Sequence, residues 1–185
     1  VHTPPKSTAL PAAIVAWLWS TMLGGHVASI ETVSRPWIAI TGFQVDFALS
    51  VDHLTLIMLS VVTGVGFLIH LYSAGYMAHE DGYWRFFAYL NLFMFFMSVL
   101  VLAESFLLLF VGWEGVGLAS YLLIGFYFKK DSASDAGKKA FIVNRIGDFG
   151  FLLAMFLLIT HFGTLSFTQI FASIAQHPEW HGGFL

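Results

Sequence analysis

Cysteine is absent from this sequence, and charged residues are scarce. Without cysteine the chain has no disulfide, no thiolate metal site and no cysteine nucleophile. Only 10% of the residues are charged, whereas a soluble domain usually carries about 25%. The formal net charge is -3, so the composition offers no basic surface for nucleic acid. These absences favour a membrane protein.

The motifs of soluble enzymes are missing as well. We find no glycine-rich dinucleotide loop, no phosphate loop, no HExxH and no nucleophile elbow. His177 and His181 are spaced as on one helical turn, but Pro178 and two glycines lie beside them. We therefore expect no metal site.

Long apolar runs are what the sequence does contain. The chain is 58% hydrophobic, with a mean hydropathy of +0.79. Runs of this length predict transmembrane helices. They cover residues 10–23 (with an extension to 30), 54–77, 86–103, 106–128 and 140–161. The predicted fold class is therefore an all-α polytopic membrane protein with about five transmembrane helices.

The segments between the runs carry their own predictions. Residues 31–52 partly alternate between polar and apolar, which predicts either a short hairpin at the membrane surface or an ordinary loop. The turn at Glu104 is very tight, so the helices on its two sides should be antiparallel neighbours; Glu104 itself should be solvated. Residues 129–139 are predicted to form a charged loop, and residues 164–167 to begin a short interfacial helix.

Basic residues orient the predicted spans. Only Arg35 falls on one side of the membrane; the other side receives Lys6, Arg85, Lys129, Lys130, Lys138 and Lys139. The positive-inside rule places that second side in the cytoplasm or its equivalent.

Glu114 is the only charged residue in the run 106–128. It lies about 12 Å from one end of the run, at a depth where a carboxylate costs at least about 3 kcal/mol. Burial disfavours the charged form of a carboxyl group, so an acid there can gain and lose a proton. The alternative is a structural glutamate that only holds helices together.

Three further polar residues lie inside predicted spans. Arg145 and Asp148 are three residues apart on one helix face, at depths of about 9 and 13 Å. They form either a self-satisfied pair or a modulator of a nearby proton site. His70 is predicted at a level similar to Arg145, where it either bonds a neighbouring helix or relays protons.

Four stretches of the sequence are distinctive. They are VDHLT at 51–55 with SVVTGVGFLIHLYSAGYM at 60–77, RFFAYLNLF at 85–93, GWEGVGLASYLLIGFY at 112–127 and KAFIVNRIGDFGF at 139–151. On these motifs the sequence resembles the L-subunit (chain 5) family of respiratory complex I, the proton-pumping NADH–quinone oxidoreductase. The resemblance is continuous from about residue 43 to 170.

The resemblance implies an antiporter-like fold of two inverted five-helix repeats, of which this chain holds an incomplete portion. Glu114 matches a proposed proton-channel glutamate of that family. Arg145 and Asp148 match the charged pair of the next helix, and His70 matches a histidine of the third helix. A lysine on a later broken helix of the family, thought to pair with the glutamate, lies beyond this sequence.

The resemblance also implies where the remaining parts are found. FMN, iron–sulfur clusters and quinone are expected in partner subunits, with no cofactor in this chain. The expected partners are other membrane-arm subunits, above all the neighbouring antiporter-like subunit, and the lipid bilayer. The implied location is a bacterial inner (plasma) membrane or the mitochondrial inner membrane.

The domain prediction follows the family. It divides the chain into a second-helix and outer-loop region (1–40), a chain 5 N-terminal region (41–104) and the truncated start of the proton-translocating domain (105–185). Because Val1 is not an initiator, we expect the chain to be part of a longer subunit. Alone it should neither oxidise NADH nor complete a proton path.

Two other functions remain open at this point. One is the large subunit of a multisubunit sodium/proton antiporter, which shares the fold and similar motifs. The other is a non-catalytic membrane scaffold fragment, in which Glu114 is merely structural.

Overall fold

A computed structural model describes residues 29–31, 35–40 and 43–177 of the chain. Four helices in these ranges are long and apolar enough to cross a membrane: α1 (His53–Tyr76), α2 (Tyr83–Leu102), α3 (Phe106–Ile124) and α4 (Asp131–Phe162). A shorter helix, α5 (Phe167–Gln176), follows them. The predicted mainly helical, polytopic fold is confirmed. The span predicted at residues 10–23 lies outside the described residues.

Four short strands precede the helices. β1 (Ser29–Glu31) pairs antiparallel with β4 (Ser50–Asp52), and β2 (Arg35–Ile40) pairs antiparallel with β3 (Phe43–Phe47). The hairpin prediction for residues 31–52 is thus confirmed. β3 turns Val45 inward against Met155 and Leu165, so the strands pack on one end of the helical bundle.

The first transmembrane helix begins at a side-chain cap. Asp52, the residue before α1, accepts a hydrogen bond from the backbone N–H of Thr55 at 2.7 Å. Such a cap satisfies one of the N–H groups that a helix leaves open at its start. The same hydrogen bond lowers the pKa of Asp52, because it favours the charged carboxylate.

The turn between α2 and α3 ties the hairpin end of the bundle together. The Glu104 N–H donates to the Ala48 carbonyl at 3.3 Å, and its carbonyl accepts from the Phe167 N–H at 3.1 Å. The Glu104 carboxylate accepts from the Ser166 hydroxyl at 2.7 Å. The prediction that Glu104 is solvated is therefore wrong: it is half-buried, because the start of α5 packs against the turn.

At the opposite end, α4 begins earlier than predicted. The predicted loop at 129–139 is wrong from Asp131 onward, because the helix already begins there; only Lys129 and Lys130 belong to the turn. Its 32 residues extend about 48 Å, well beyond a hydrocarbon core of about 30 Å. The charged first turns therefore continue the helix outside the apolar layer. Lys138 lies there, 3.4 Å from Asp135 in an exposed ion pair.

Glycines bring α2 and α3 into close contact. A Cβ atom added to Gly112 would lie 2.7 Å from the backbone of Leu100, and one added to Gly115 would meet the Phe96 ring. The later residue on α3, Gly115, meets the earlier residue on α2, Phe96, and Gly112 meets Leu100. This order confirms the predicted antiparallel packing of α2 and α3. Small residues permit this approach of two helix backbones inside a membrane.

We expect Gly112→Ala to destabilise the full-length subunit by about 1–3 kcal/mol, because the new methyl group meets backbone atoms that cannot rotate away. The matched control is Gly64→Ala, where a Cβ atom would meet nothing within 4 Å. Thermal unfolding of the purified subunits measures both changes. Equal midpoints for the two variants would contradict the close packing.

Candidate functional site

Glu114 lies half-way along α3 and faces α4. Its carboxylate forms an ion pair with the guanidinium of Arg145, which lies on α4. The Glu114 side chain is 25% exposed and the Arg145 side chain 35% exposed. The structure therefore brings together two of the predicted site residues from neighbouring spans, a contact that helix spacing alone did not predict.

The same guanidinium also serves Asp148. The Arg145 Nε atom lies 3.1 Å from the Asp148 Oδ2 atom, as expected for residues three apart on one helix. This contact is an ion pair without hydrogen-bond alignment. Asp148 is the more enclosed acid, with its side chain 6% exposed. One cation is thus shared by two carboxylates.

Trp113 completes the network and was missed from the sequence. Its indole N–H donates to the Asp148 Oδ1 atom at 2.8 Å, across the α3–α4 interface. The two Asp148 oxygens therefore face different partners, the indole and the guanidinium. The adjacency of Trp113 to Glu114 in GWEGVG was the available signal, but it does not show which helix the indole meets.

Packing holds Arg145 in this position. A Cβ atom added to Gly117 on α3 would lie 3.4 Å from its Nη2 atom, so the absence of a side chain makes room for the guanidinium. The Phe141 ring, one turn earlier on α4, lies 4.7 Å from the Arg145 Cζ atom. An aromatic face attracts a cation without neutralising it.

A cleft of about 410 Å³ adjoins the Glu114–Arg145 pair. Apart from the pair itself, its lining is apolar: Phe96, Phe110, Val111, Gly115, Leu118 and Phe141. Glu114 therefore borders an open cleft whose walls, apart from Glu114 and Arg145, are apolar.

His70 stands apart from this network. It is 8% exposed and packs on α2, with its ring centroid 6.0 Å from that of Phe87. Its Nδ1 atom lies 2.7 Å from the Gly66 carbonyl, which can only accept, so Nδ1 carries the proton. Within residues 43–177, its buried Nε2 atom has no hydrogen-bond partner. The structure does not bring His70 to Glu114, Arg145 or Asp148.

Two family models match the chain. The model for the N-terminus of NADH-ubiquinone oxidoreductase (complex I) chain 5 matches residues 37–87. The transmembrane model shared by NADH:quinone oxidoreductase and Mrp antiporter subunits matches residues 103–184. Together they cover more than half of the chain. The chain belongs to this antiporter-like family.

Curated relatives within the antiporter-like family agree. NADH-quinone oxidoreductase subunit L of Mycobacterium tuberculosis (strain H37Rv) is 51% identical over 161 residues, which are 86% of this chain and 25% of the relative. Subunit L of Escherichia coli (strain K12) is 51% identical over 150 residues, or 80% of this chain and 24% of the relative. The chain thus spans about a quarter of the length of these relatives.

Solved structures place the fold in the same family. The Mrp complex from Dietzia sp. DQ12-45-1b matches with a TM-score of 0.73 at 25% identity, over 86% of this chain and 17% of that one. The membrane-bound sulfane sulfur reductase, an archaeal respiratory membrane complex, matches with a TM-score of 0.67 at 21% identity, over 92% and 25%. The second likeness concerns the fold alone.

The Trp113–Asp148 hydrogen bond predicts energetic coupling between the two residues. In a double-mutant cycle of Trp113→Phe and Asp148→Asn, we expect an interaction energy of about 1 kcal/mol, the usual range for polar contacts between membrane helices. Unfolding of the full-length subunit in micelles measures it.

The control cycle replaces Trp113→Phe with Trp84→Phe. Trp84 is 79% exposed on α2 and should show no coupling to Asp148. Additive effects in the Trp113 cycle would contradict a hydrogen bond that contributes to the site.

Proposed function

We propose that this chain is part of an antiporter-like subunit that carries protons across a membrane in a complex I-type NADH:quinone oxidoreductase, with Glu114 as the proton-loading site. The observation that carries the proposal is the Arg145 guanidinium, shared between Glu114 and Asp148 inside two predicted spans. Ionisable residues at such a depth are costly and are usually functional. The family supports the same function.

The shared cation supplies a mechanism for loading and release. When Glu114 is charged, Arg145 bridges it and Asp148. When Glu114 takes up a proton, its attraction for the guanidinium falls, and Arg145 is left with Asp148 alone. A neighbouring cation favours the charged form of an acid, so in this mechanism the position of Arg145 determines whether Glu114 holds a proton.

Asp148 and Trp113 have supporting roles in this proposal. Asp148 keeps a counter-charge beside Arg145 in both states, since an unpaired buried guanidinium would be strongly unfavourable. The indole of Trp113 occupies one Asp148 oxygen at 2.8 Å, which leaves the other directed at Arg145. His70 is proposed as a separate relay, because its buried Nε2 atom has no hydrogen-bond partner within residues 43–177.

Redox chemistry is assigned to other subunits. Iron–sulfur clusters are held by cysteine thiolates, and this chain has no cysteine. Its residues therefore do not fit such a cluster. We propose that the flavin, the clusters and the quinone site belong to partner subunits of the membrane complex, which lies in a bacterial plasma membrane or a mitochondrial inner membrane.

The proposal predicts the effect of removing the Glu114 charge. Glu114→Gln in the full-length subunit should preserve assembly and lower proton pumping, because an amide cannot load a proton. Pumping is measured as acidification of inverted membrane vesicles after addition of NADH. Glu80→Gln, on an exposed loop residue, is the matched control and should pump normally.

Unchanged pumping by Glu114→Gln would refute the loading role. Loss of the assembled complex, with normal pumping by the remaining copies, would instead support the scaffold alternative. Asp148→Asn is expected to give the intermediate result, reduced pumping in an assembled complex, because Arg145 then loses one of its two anionic partners.

A sodium/proton antiporter is the second candidate, because the Mrp complex shares this fold. The two candidates differ in what drives transport. We expect proton movement to require NADH and a quinone and to continue in sodium-free buffer. Movement that needs a sodium gradient and ignores NADH would reverse this choice.

A further inference from the structure

A second polar pocket lies at the opposite end of the bundle from the hairpin. It is a cavity of about 190 Å³ between α2, the end of α3 and the start of α4. Its lining combines one guanidinium, three hydroxyl groups and an apolar wall: Arg85, Tyr89, Ser134, Tyr121, Leu122, Gly125, Phe126 and Phe128. None of these residues belongs to the Glu114 network.

Arg85 is held in this pocket by aromatic rings. Its Cζ atom lies 4.9 Å from the ring centroids of both Phe126 and Phe128. Contacts with ring faces orient a guanidinium but use few of its hydrogen-bond donors. The Gly82 backbone lies beneath the same group, since a Cβ atom there would approach Arg85 Nη2 to 3.1 Å.

The donors of Arg85 are almost unused. Its one hydrogen bond in the described part of the chain is a long one, from Nη2 to the Phe126 carbonyl at 3.4 Å. No carboxylate within residues 43–177 lies at ion-pair distance from it. The acid Glu80 instead lies near the phenol of Tyr127, where burial and then the Glu80 carboxylate raise the pKa of Tyr127.

The surroundings favour an anionic ligand that also has an apolar part. Lys129 and Lys130 follow the pocket directly in sequence and add positive charge at the same end of the bundle. The outer rim of the pocket is aromatic, and its Phe128 side chain is 58% exposed. Trp84, next to Arg85 in the sequence, is 79% exposed. Arginine, lysine and an aromatic belt together mark the interface between lipid headgroups and hydrocarbon.

We propose that this pocket binds the phosphate group of an anionic phospholipid. A planar guanidinium donates two parallel hydrogen bonds to a phosphate, and the Tyr89, Tyr121 and Ser134 hydroxyls add further donors. In this proposal the acyl chains cover the exposed aromatic rim. A free phosphate ion has no apolar part and would leave the rim uncovered. Basic pockets between transmembrane helices on the cytoplasmic side are suited to such headgroups.

The test uses the full-length subunit in its complex, reconstituted into nanodiscs of phosphatidylcholine with a small fraction of photoactivatable phosphatidylglycerol. After illumination, peptides that carry crosslinked lipid are identified by mass spectrometry. We expect crosslinks in segments 83–90 and 121–134, and competition by unlabelled phosphatidylglycerol. Equal competition by phosphatidylcholine, or displacement by millimolar inorganic phosphate, would overturn the proposal of an anionic lipid.

Variants separate a specific site from general surface attraction. Arg85→Gln should lower the crosslink yield in these segments about tenfold or more, because charge-assisted hydrogen bonds are lost. Lys139→Gln removes one charge from the same face outside the pocket and should lower the yield less than about fivefold. Equal losses in the two variants would overturn the site.

A conservative variant distinguishes loss of lipid binding from loss of the fold. Arg85→Lys keeps the charge and the packing of the side-chain stem but loses the planar fork, so we expect a yield between those of the wild type and Arg85→Gln. A yield equal to that of the wild type would overturn recognition by the guanidinium. Because none of the pocket's lining residues belongs to the Glu114 network, these results do not depend on the proton-loading proposal.

Discussion

A single guanidinium placed between two carboxylates in a low-dielectric environment is the interaction on which this molecule depends. Arg145 pairs with Glu114 on α3 and with Asp148 on its own helix, α4. Neither acid would be stable in its charged form at this depth without the cation, and the cation would not be stable without at least one carboxylate. Because there is one cation for two acids, we propose that a proton on Glu114 selects between two arrangements of Arg145.

The rest of the fold fixes the positions of α3 and α4, the two helices that carry these charges. Close contact at Gly112 fixes α3 against α2, and the absence of a side chain at Gly117 gives Arg145 its place between α3 and α4. Beyond the apolar layer, Glu104 links the hairpin, the α2–α3 turn and α5 by hydrogen bonds.

Apolar runs and isolated charges were sufficient to predict the four described spans, the hairpin and the acid Glu114. They were not sufficient for contacts across helices, because the rotation of one helix against another is set by packing at glycines and not by spacing within a helix. The Arg145–Glu114 pair and the Trp113 hydrogen bond are of this kind. The early start of α4 was missed because a charged run is equally typical of a loop and of a helix that extends into water. The exposure of Glu104 was overestimated because the sequence does not show that α5 packs against it.

Isotope-edited infrared spectroscopy of the full-length subunit, titrated with pH in lipid, tests the shared-cation account most directly. The account predicts a protonated carboxyl band that is absent in Glu114→Gln and whose titration midpoint rises when Arg145 is replaced by glutamine, because the carboxylate then loses its cation. A band that persists in Glu114→Gln, or a midpoint that is unaffected by Arg145→Gln, would contradict the account.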